Sequence, residues 1–89
     1  MWNMNEVTAI QYRNGYKYHV VFDDGLEGDV DLRRYVGNGP VFEPLVDLAY
    51  FRKARIEGGT ISWPNGADIA PETLYEEVAS ANKQVEAKG

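Results

Sequence analysis

Two runs of strictly alternating residues, joined by Asp23-Asp24-Gly25, constrain this chain more than any other feature. In the first run, Tyr16, Tyr18, Val20 and Phe22 fall on one face and Lys17, His19 and Val21 on the other. In the second, Leu26, Gly28, Val30 and Leu32 stand against Glu27, Asp29 and Asp31. A period of two is the mark of a strand with one face in a core and one in water. The length of the connection then decides the register. A two-residue turn at Asp24-Gly25 sets Phe22 opposite Glu27 and Val20 opposite Asp29, which places carboxylates on the apolar face. A three-residue loop, with Gly25 in the left-handed conformation as a bulge, pairs Phe22 with Leu26 and Tyr18 with Val30. That register also sets His19 opposite Asp29 and Lys17 opposite Asp31. A slip of one residue inverts every side chain, so the pattern predicts the three-residue loop.

The rest of the fold is read outward from this hairpin. A strand over about 6–12 precedes it, joined through Arg13-Asn14-Gly15, so that 6–32 form a three-stranded antiparallel meander. A three-residue loop at that first turn places Tyr12 by Tyr16 and Ile10 by Tyr18, an aromatic and apolar pairing. Residues 33–53 read as a loop and short helical cap: Gly37-Asn38-Gly39-Pro40 is loop, and Val41-Phe42-Glu43-Pro44-Leu45 makes a helical turn. Phe42, Leu45 and Leu48 recur at three-residue steps, followed by Tyr50 and Phe51, and read as anchors laid over the sheet. Within 54–63, Arg55–Glu57 and Thr60–Trp63 flank Gly58-Gly59 as a β-hairpin. Pro71 and Glu72 suit the first turn of a helix over 71–86. Leu74, Val78, Ala81 and Val85 share one stripe of it, with Glu76, Glu77 and Lys83 toward water. Residues 1–5 and 87–89 read as frayed ends. The expected class is α+β in a single small domain over 1–89: meander, short helical cap, β-hairpin and C-terminal helix.

Composition narrows the function. A chain of 89 residues hides only about 60–65% of its unfolded surface, so contacts with a partner carry weight. There is no cysteine, which excludes disulfides and thiolate metal sites and fits a reducing compartment. The start of the chain has neither a basic nor an apolar leader, and no run reaches membrane-spanning length, so a cytoplasmic protein without membrane association is expected. Nine basic residues against fourteen acidic ones give a net charge of −5. That balance speaks against autonomous nucleic-acid binding. It is compatible with a basic partner protein, and equally with solubility alone.

The segment from Trp63 to Tyr75 concentrates a strand end, a turn and a helix start. In one reading, Pro64 stops the strand, Asn65-Gly66 supplies a positive-φ turn, and Asp68 accepts a backbone N–H near the helix start. In the other, a surface loop carrying Trp63, Asn65 and Asp68 contacts a partner or a small ligand. His19, the only histidine, is expected as a structural cross-strand pair with Asp29, favouring its charged form, rather than as part of a catalytic set. Glu27, Asp29 and Asp31 share a strand face, but alternate residues lie roughly 7 Å apart, too far to share one cation, so no metal is expected. Arg33, Arg34, Arg52, Lys53 and Arg55 read as a solvated face before an anion patch. No glycine-rich phosphate loop, metalloprotease His pair or nucleophile elbow is present, and no cofactor is expected.

Phe22-Asp23-Asp24-Gly25, Val30-Asp31-Leu32, Gly39-Pro40-Val41-Phe42-Glu43-Pro44-Leu45, Phe51 and the Trp63-to-Tyr75 segment together resemble the bacterial family catalogued as domain of unknown function 2442. The resemblance implies a small α+β domain, sometimes standing alone and sometimes followed by a helix-turn-helix. It also implies a gene often placed beside another small uncharacterised protein, in a pattern suggestive of a toxin–antitoxin pair. No catalytic residues are agreed for the family, so none carries over. The sequence departs from the fused arrangement by ending after one expected helix, so no inherited DNA-binding role is expected. The expected function is a non-catalytic protein-interaction or regulatory module, with the antitoxin-like half of a two-gene system as its specific form. Its partner is another protein, or a second copy joined by strand addition at a sheet edge. The alternative is a small ligand-binding domain or enzyme using the Trp63–Asp68 loop.

Overall fold

The computed structural model describes residues 6–88, with side chains through Ala81. Its first sheet is antiparallel in the order β1 (Val7–Tyr12), β2 (Lys17–Phe22), β3 (Glu27–Asp31). The β2–β3 register is that of the three-residue loop: Tyr18 faces Val30, His19 faces Asp29 and Lys17 faces Asp31. The Phe22 N–H donates to the Leu26 carbonyl at 2.8 Å, and Gly25 turns the chain at φ 94°, where a side chain is strained. Asp24 holds the loop by accepting the Leu26 N–H at 2.9 Å.

The β1–β2 register differs from expectation by two residues. Tyr12 faces Tyr18 instead of Tyr16, and Ile10 faces Val20 instead of Tyr18. The turn centres on Gly15-Tyr16, with the Lys17 N–H on the Asn14 carbonyl at 2.9 Å and Gly15 at φ 54°. Glycine at the first central position makes this tight turn accessible, so the chain reverses later than an Arg13-Asn14-Gly15 loop would allow. A bulge between Val7 and Ala9 turns Val7 into the core, where it is buried with Tyr18, Val20, Phe22, Val30 and Leu32.

The C-terminal helix, α2 (Pro71–Lys88), packs across β3. Gly28 is where it comes closest: a Cβ there would sit 3.0 Å from Val78 Cγ1. Leu74 and Val78 are buried, each contributing about 1.5–3 kcal/mol. The Tyr75 hydroxyl donates to Asp24 Oδ2 at 2.6 Å, fastening the helix to the β2–β3 loop. Two positions on the expected helix faces are corrected. Ala81 is exposed, one turn past the sheet. Glu77 is half-buried and accepts the Tyr35 hydroxyl at 3.1 Å. The helical span runs through Lys88, past the expected limit at residue 86. The expected ends at 1–5 and Gly89, and the side chains of Lys83 and Val85, lie outside the described residues.

A second antiparallel sheet has the order β4 (Arg55–Glu57), β5 (Thr60–Ser62), β6 (Asp68–Ile69). The expected two-stranded hairpin therefore gains a third strand, because the chain doubles back at Gly66 and pairs Ile69 with Ile61. The Val7 N–H bonds to the Gly59 carbonyl at 2.9 Å, tying the two sheets together. Between them in sequence, the cap comprises a 3-10 turn (Glu43–Val46) and α1 (Leu48–Phe51). Leu45 and Phe51 are buried, but Leu48, expected as an anchor, is 41% exposed. Asp47 is extended, with φ −76° and ψ 115°, and breaks the helical phase between them. These elements satisfy the expected α+β class. No described helix is long and apolar enough to cross a membrane.

Candidate functional site

The three loop residues singled out by sequence do not converge. Trp63 is a core residue, 1% exposed, and its Nε1–H donates to the Phe51 carbonyl at 2.8 Å. The Tyr18 hydroxyl donates to that same carbonyl at 2.8 Å. Phe51 ends α1, where carbonyls lose their helical donors, and two side chains supply them, one from β2 and one from the loop that follows β5. Burial pushes the Tyr18 phenol up to about 12. Asn65 faces the cap: its Nδ2 donates to the Val41 carbonyl at 2.8 Å, while Oδ1 accepts the Ala67 N–H at 3.1 Å. Asp68 is exposed in β6, opposite Ser62.

The expected helix-capping role for Asp68 is corrected as well. The Thr73 and Leu74 N–H groups bond to the Ala70 carbonyl at 3.1 and 3.4 Å. The Asp68 side chain makes no hydrogen bond to the first turn of α2 among the described residues. Its backbone is committed to the strand pair, three residues before the helix begins at Pro71. Asn65 carries the local side-chain-to-backbone bond that sequence assigned to Asp68.

His19 sits on the outer face of the first sheet, between two carboxylates. Nδ1 lies 2.8 Å from Asp29 Oδ1 and Nε2 lies 2.8 Å from Glu27 Oε1. Arg13 Nε donates to Asp29 Oδ1 at 3.3 Å. A neutral imidazole has one N–H, whereas two carboxylates ask for two, so the imidazolium is the matching form. Glu27, then Asp29, raise the His19 pKa. Asp29 is lowered, first by His19 and then by Arg13. With both nitrogens occupied the ring has no free lone pair for a general base. Glu27 was legible in principle, as the diagonal cross-strand neighbour of His19. No group of three or more His, Asp or Glu among the described residues is arranged to hold a metal ion.

Among the concavities are two open grooves of about 420 Å³ along α2, one walled by Arg34, Thr73 and Glu77 and another by Tyr75 and Ala79. Neither includes Trp63, Asn65 or Asp68. What sequence did not foresee is the surface of the cap. Val41, Val46 and Leu48 are 48%, 54% and 41% exposed, all within residues 41–48. The backbone beneath them is held: Asn65 bonds to the Val41 carbonyl, and the Tyr16 hydroxyl to the Val46 carbonyl at 2.6 Å. Asp47 Oδ1 accepts the Ala49 N–H at 3.1 Å, starting α1.

A family model described as a protein of unknown function, DUF2442, matches residues 7–80. Comparisons with curated proteins and with solved structures returned no match.

Proposed function

We propose that this chain, which belongs to the DUF2442 family, is a non-catalytic protein-interaction module whose binding face is the helical cap. The observation that carries this reading is the exposure of Val41, Val46 and Leu48 in one short segment. Scattered apolar side chains on a surface need no explanation, but a cluster does. Covering them contributes about 25 cal/mol for each Å² of apolar surface removed from water. The bonds from Asn65, Tyr16 and Asp47 hold that segment's backbone before binding, which lowers the entropy lost on association. The engagement of His19 on both nitrogens favours an interaction role over acid–base chemistry. A regulatory, antitoxin-like role in a two-gene system is the form of this function that the family resemblance suggests, and the neighbouring gene product is the first partner to try.

The test is a pull-down from the native host with the wild-type chain and a Val46→Asp/Leu48→Asp variant, both checked for folding by circular dichroism. A stoichiometric partner held by the wild type and lost by the folded variant supports the reading. A partner retained by the variant, or no stoichiometric partner on the wild type, overturns it.

A further inference from the structure

The net charge of −5 points toward a basic partner, but the charges flanking the cap run the other way. Of the five arginines, Arg13, Arg34 and Arg55 each have a carboxylate partner, in Asp29, Glu77 and Glu57. Arg33 and Arg52 have none within 4.0 Å among the described residues. These two are the arginines beside the exposed apolar cluster. Arg33 lies over the Tyr16 ring at 5.8 Å, and the Tyr16 hydroxyl is bonded to the Val46 carbonyl. Arg52 lies over the Tyr12 ring at 4.9 Å, and its N–H bonds to the Leu48 carbonyl at 3.0 Å. Positions 48 and 52 are one helical turn apart and share a side of α1.

Tyr12 and Tyr16 both pack edge-on against Phe51, at 6.3 and 5.1 Å. The two guanidinium groups are thus carried by rings anchored in the core. A guanidinium resting on an aromatic face keeps its N–H fork available, and that fork matches a carboxylate with two parallel bonds. The cap's own carboxylates do not reach it: Asp47 is turned to the start of α1, and Glu43 makes no ion pair among the described residues. Tyrosine and arginine are the residue types enriched in energetically dominant interface patches.

We infer that the partner of this face is a protein segment with apolar side chains at its centre and carboxylates at its flanks, which pair with Arg33 and Arg52. This rests on the reading of the cap as the binding face and specifies what that face selects. Overall charge is then a poor guide to the partner, because the complementarity is local. With the complementarity confined to two side chains, long-range steering is weak, and selectivity resides in the two arginine–carboxylate contacts.

The probe is a displayed library of random peptides selected against the full chain. Enrichment of peptides combining apolar residues with Asp or Glu is expected. Their binding should fall at least about tenfold in Arg33→Glu/Arg52→Glu, the effect of losing one charge-assisted bond or more. Lys17→Glu, the same change of sign on the outer sheet face, should leave binding unchanged. Arg33→Gln/Arg52→Gln removes charge without adding repulsion and serves where the reversed variant fails to fold. Enriched peptides that bind through Val46 and Leu48 but carry basic or no charge, or ignore both arginine variants, overturn this inference and leave the cap as a binding face. Peptides indifferent to Val46→Asp/Leu48→Asp overturn both. No enrichment refutes the acidic-segment preference, while the pull-down still decides whether the cap binds a folded partner.

Discussion

Replacing Asn65 by alanine tests whether the loop from Trp63 to Asp68 is a structural joint. Two bonds disappear: Oδ1 to the Ala67 N–H at 3.1 Å and Nδ2 to the Val41 carbonyl at 2.8 Å. A typical intramolecular hydrogen bond contributes about 0.5–1.5 kcal/mol net, so two set an upper range near 3 kcal/mol. Val41 is exposed, so water can reach its freed carbonyl, whereas Ala67 is buried and its N–H, left without the Asn65 acceptor, adds a desolvation penalty of about 1–3 kcal/mol. The expected loss is therefore about 2–3 kcal/mol. For a domain of this size that lowers Tm by roughly 8–24 °C, since about 1 kcal/mol shifts it by 4–8 °C. Asp68→Ala should change stability by less than about 0.5 kcal/mol, as for an exposed side chain with no side-chain partner among the described residues. Asn65→Asp keeps the acceptor for Ala67 and loses the donor to Val41, so it should fall between wild type and Asn65→Ala or below, according to how strongly its carboxylate repels the carbonyl. Urea unfolding followed by circular dichroism measures all three. If Asn65→Ala is neutral while Asp68→Ala costs about 1 kcal/mol, the loop works as a helix cap after all and the joint is refuted.

Two further predictions follow from packing and titration. Gly28→Val drives a branched side chain into Val78 Cγ1, which already lies 3.0 Å from the Cβ position. It should cost about 1–3 kcal/mol by overpacking, and Val78→Ala in the same chain should return part of that loss; a double-mutant cycle without coupling would exclude the close approach of α2 to β3. The folded-state pKa of His19 is raised above its ordinary value of 6.5. Its stabilisation is therefore full below that value and is lost as pH rises through the folded pKa. Asp29 is lowered from 3.8, so its share is present above that value and lost as pH falls through the folded pKa. Stability measured from about pH 5.5 to about pH 8.5 should decline through the His19 step, and His19→Gln should remove that decline. An NMR titration placing His19 below its ordinary value would contradict the clamp between Glu27 and Asp29.

Alternation settles a strand register only up to its own symmetry, and the two hairpins of the first sheet show both sides of this. At Asp23-Asp24-Gly25 the competing registers differ by one residue, so one of them puts carboxylates in the core, and the pattern excludes it. At the β1–β2 turn the expected and observed registers differ by two. Both keep Ile10 and Tyr12 on the inner face, so the pattern cannot tell them apart, and the position of Gly15 in the turn decides. Strand β6 was out of reach for another reason: two residues are too short to show a period. The burial of Leu45 beside the exposure of Leu48 depends on the extended backbone of Asp47, which a three-residue step through a continuous helix overlooks. Glu27 was missed because opposite partners were considered and diagonal ones were not. Within the site, residue types were informative about local geometry but not about direction. Trp63 needed a donor's partner, and the Phe51 carbonyl that supplies it is brought in only by tertiary packing.

The loop and the cap are then two parts of one arrangement. Trp63 and Tyr18 hold the end of α1 through the Phe51 carbonyl. Asn65 holds the start of the apolar segment through Val41, and Tyr16 holds its middle through Val46. The cap has little regular structure of its own, a 3-10 turn and one helical turn, and elements that short are marginal without outside support. Side chains from β2, from the β1–β2 turn and from the loop after β5 provide it. On the proposed reading of the cap as the binding face, the loop acts without touching a partner. It fixes the position of Val41, so Asn65→Ala should weaken binding by loosening that residue, while Val46→Asp should weaken it by removing contact. The two mechanisms separate in their temperature dependence: the Asn65→Ala defect should shrink on cooling as the segment reorders, and the Val46→Asp defect should persist. Equal persistence of both would mean that the loop itself contacts the partner.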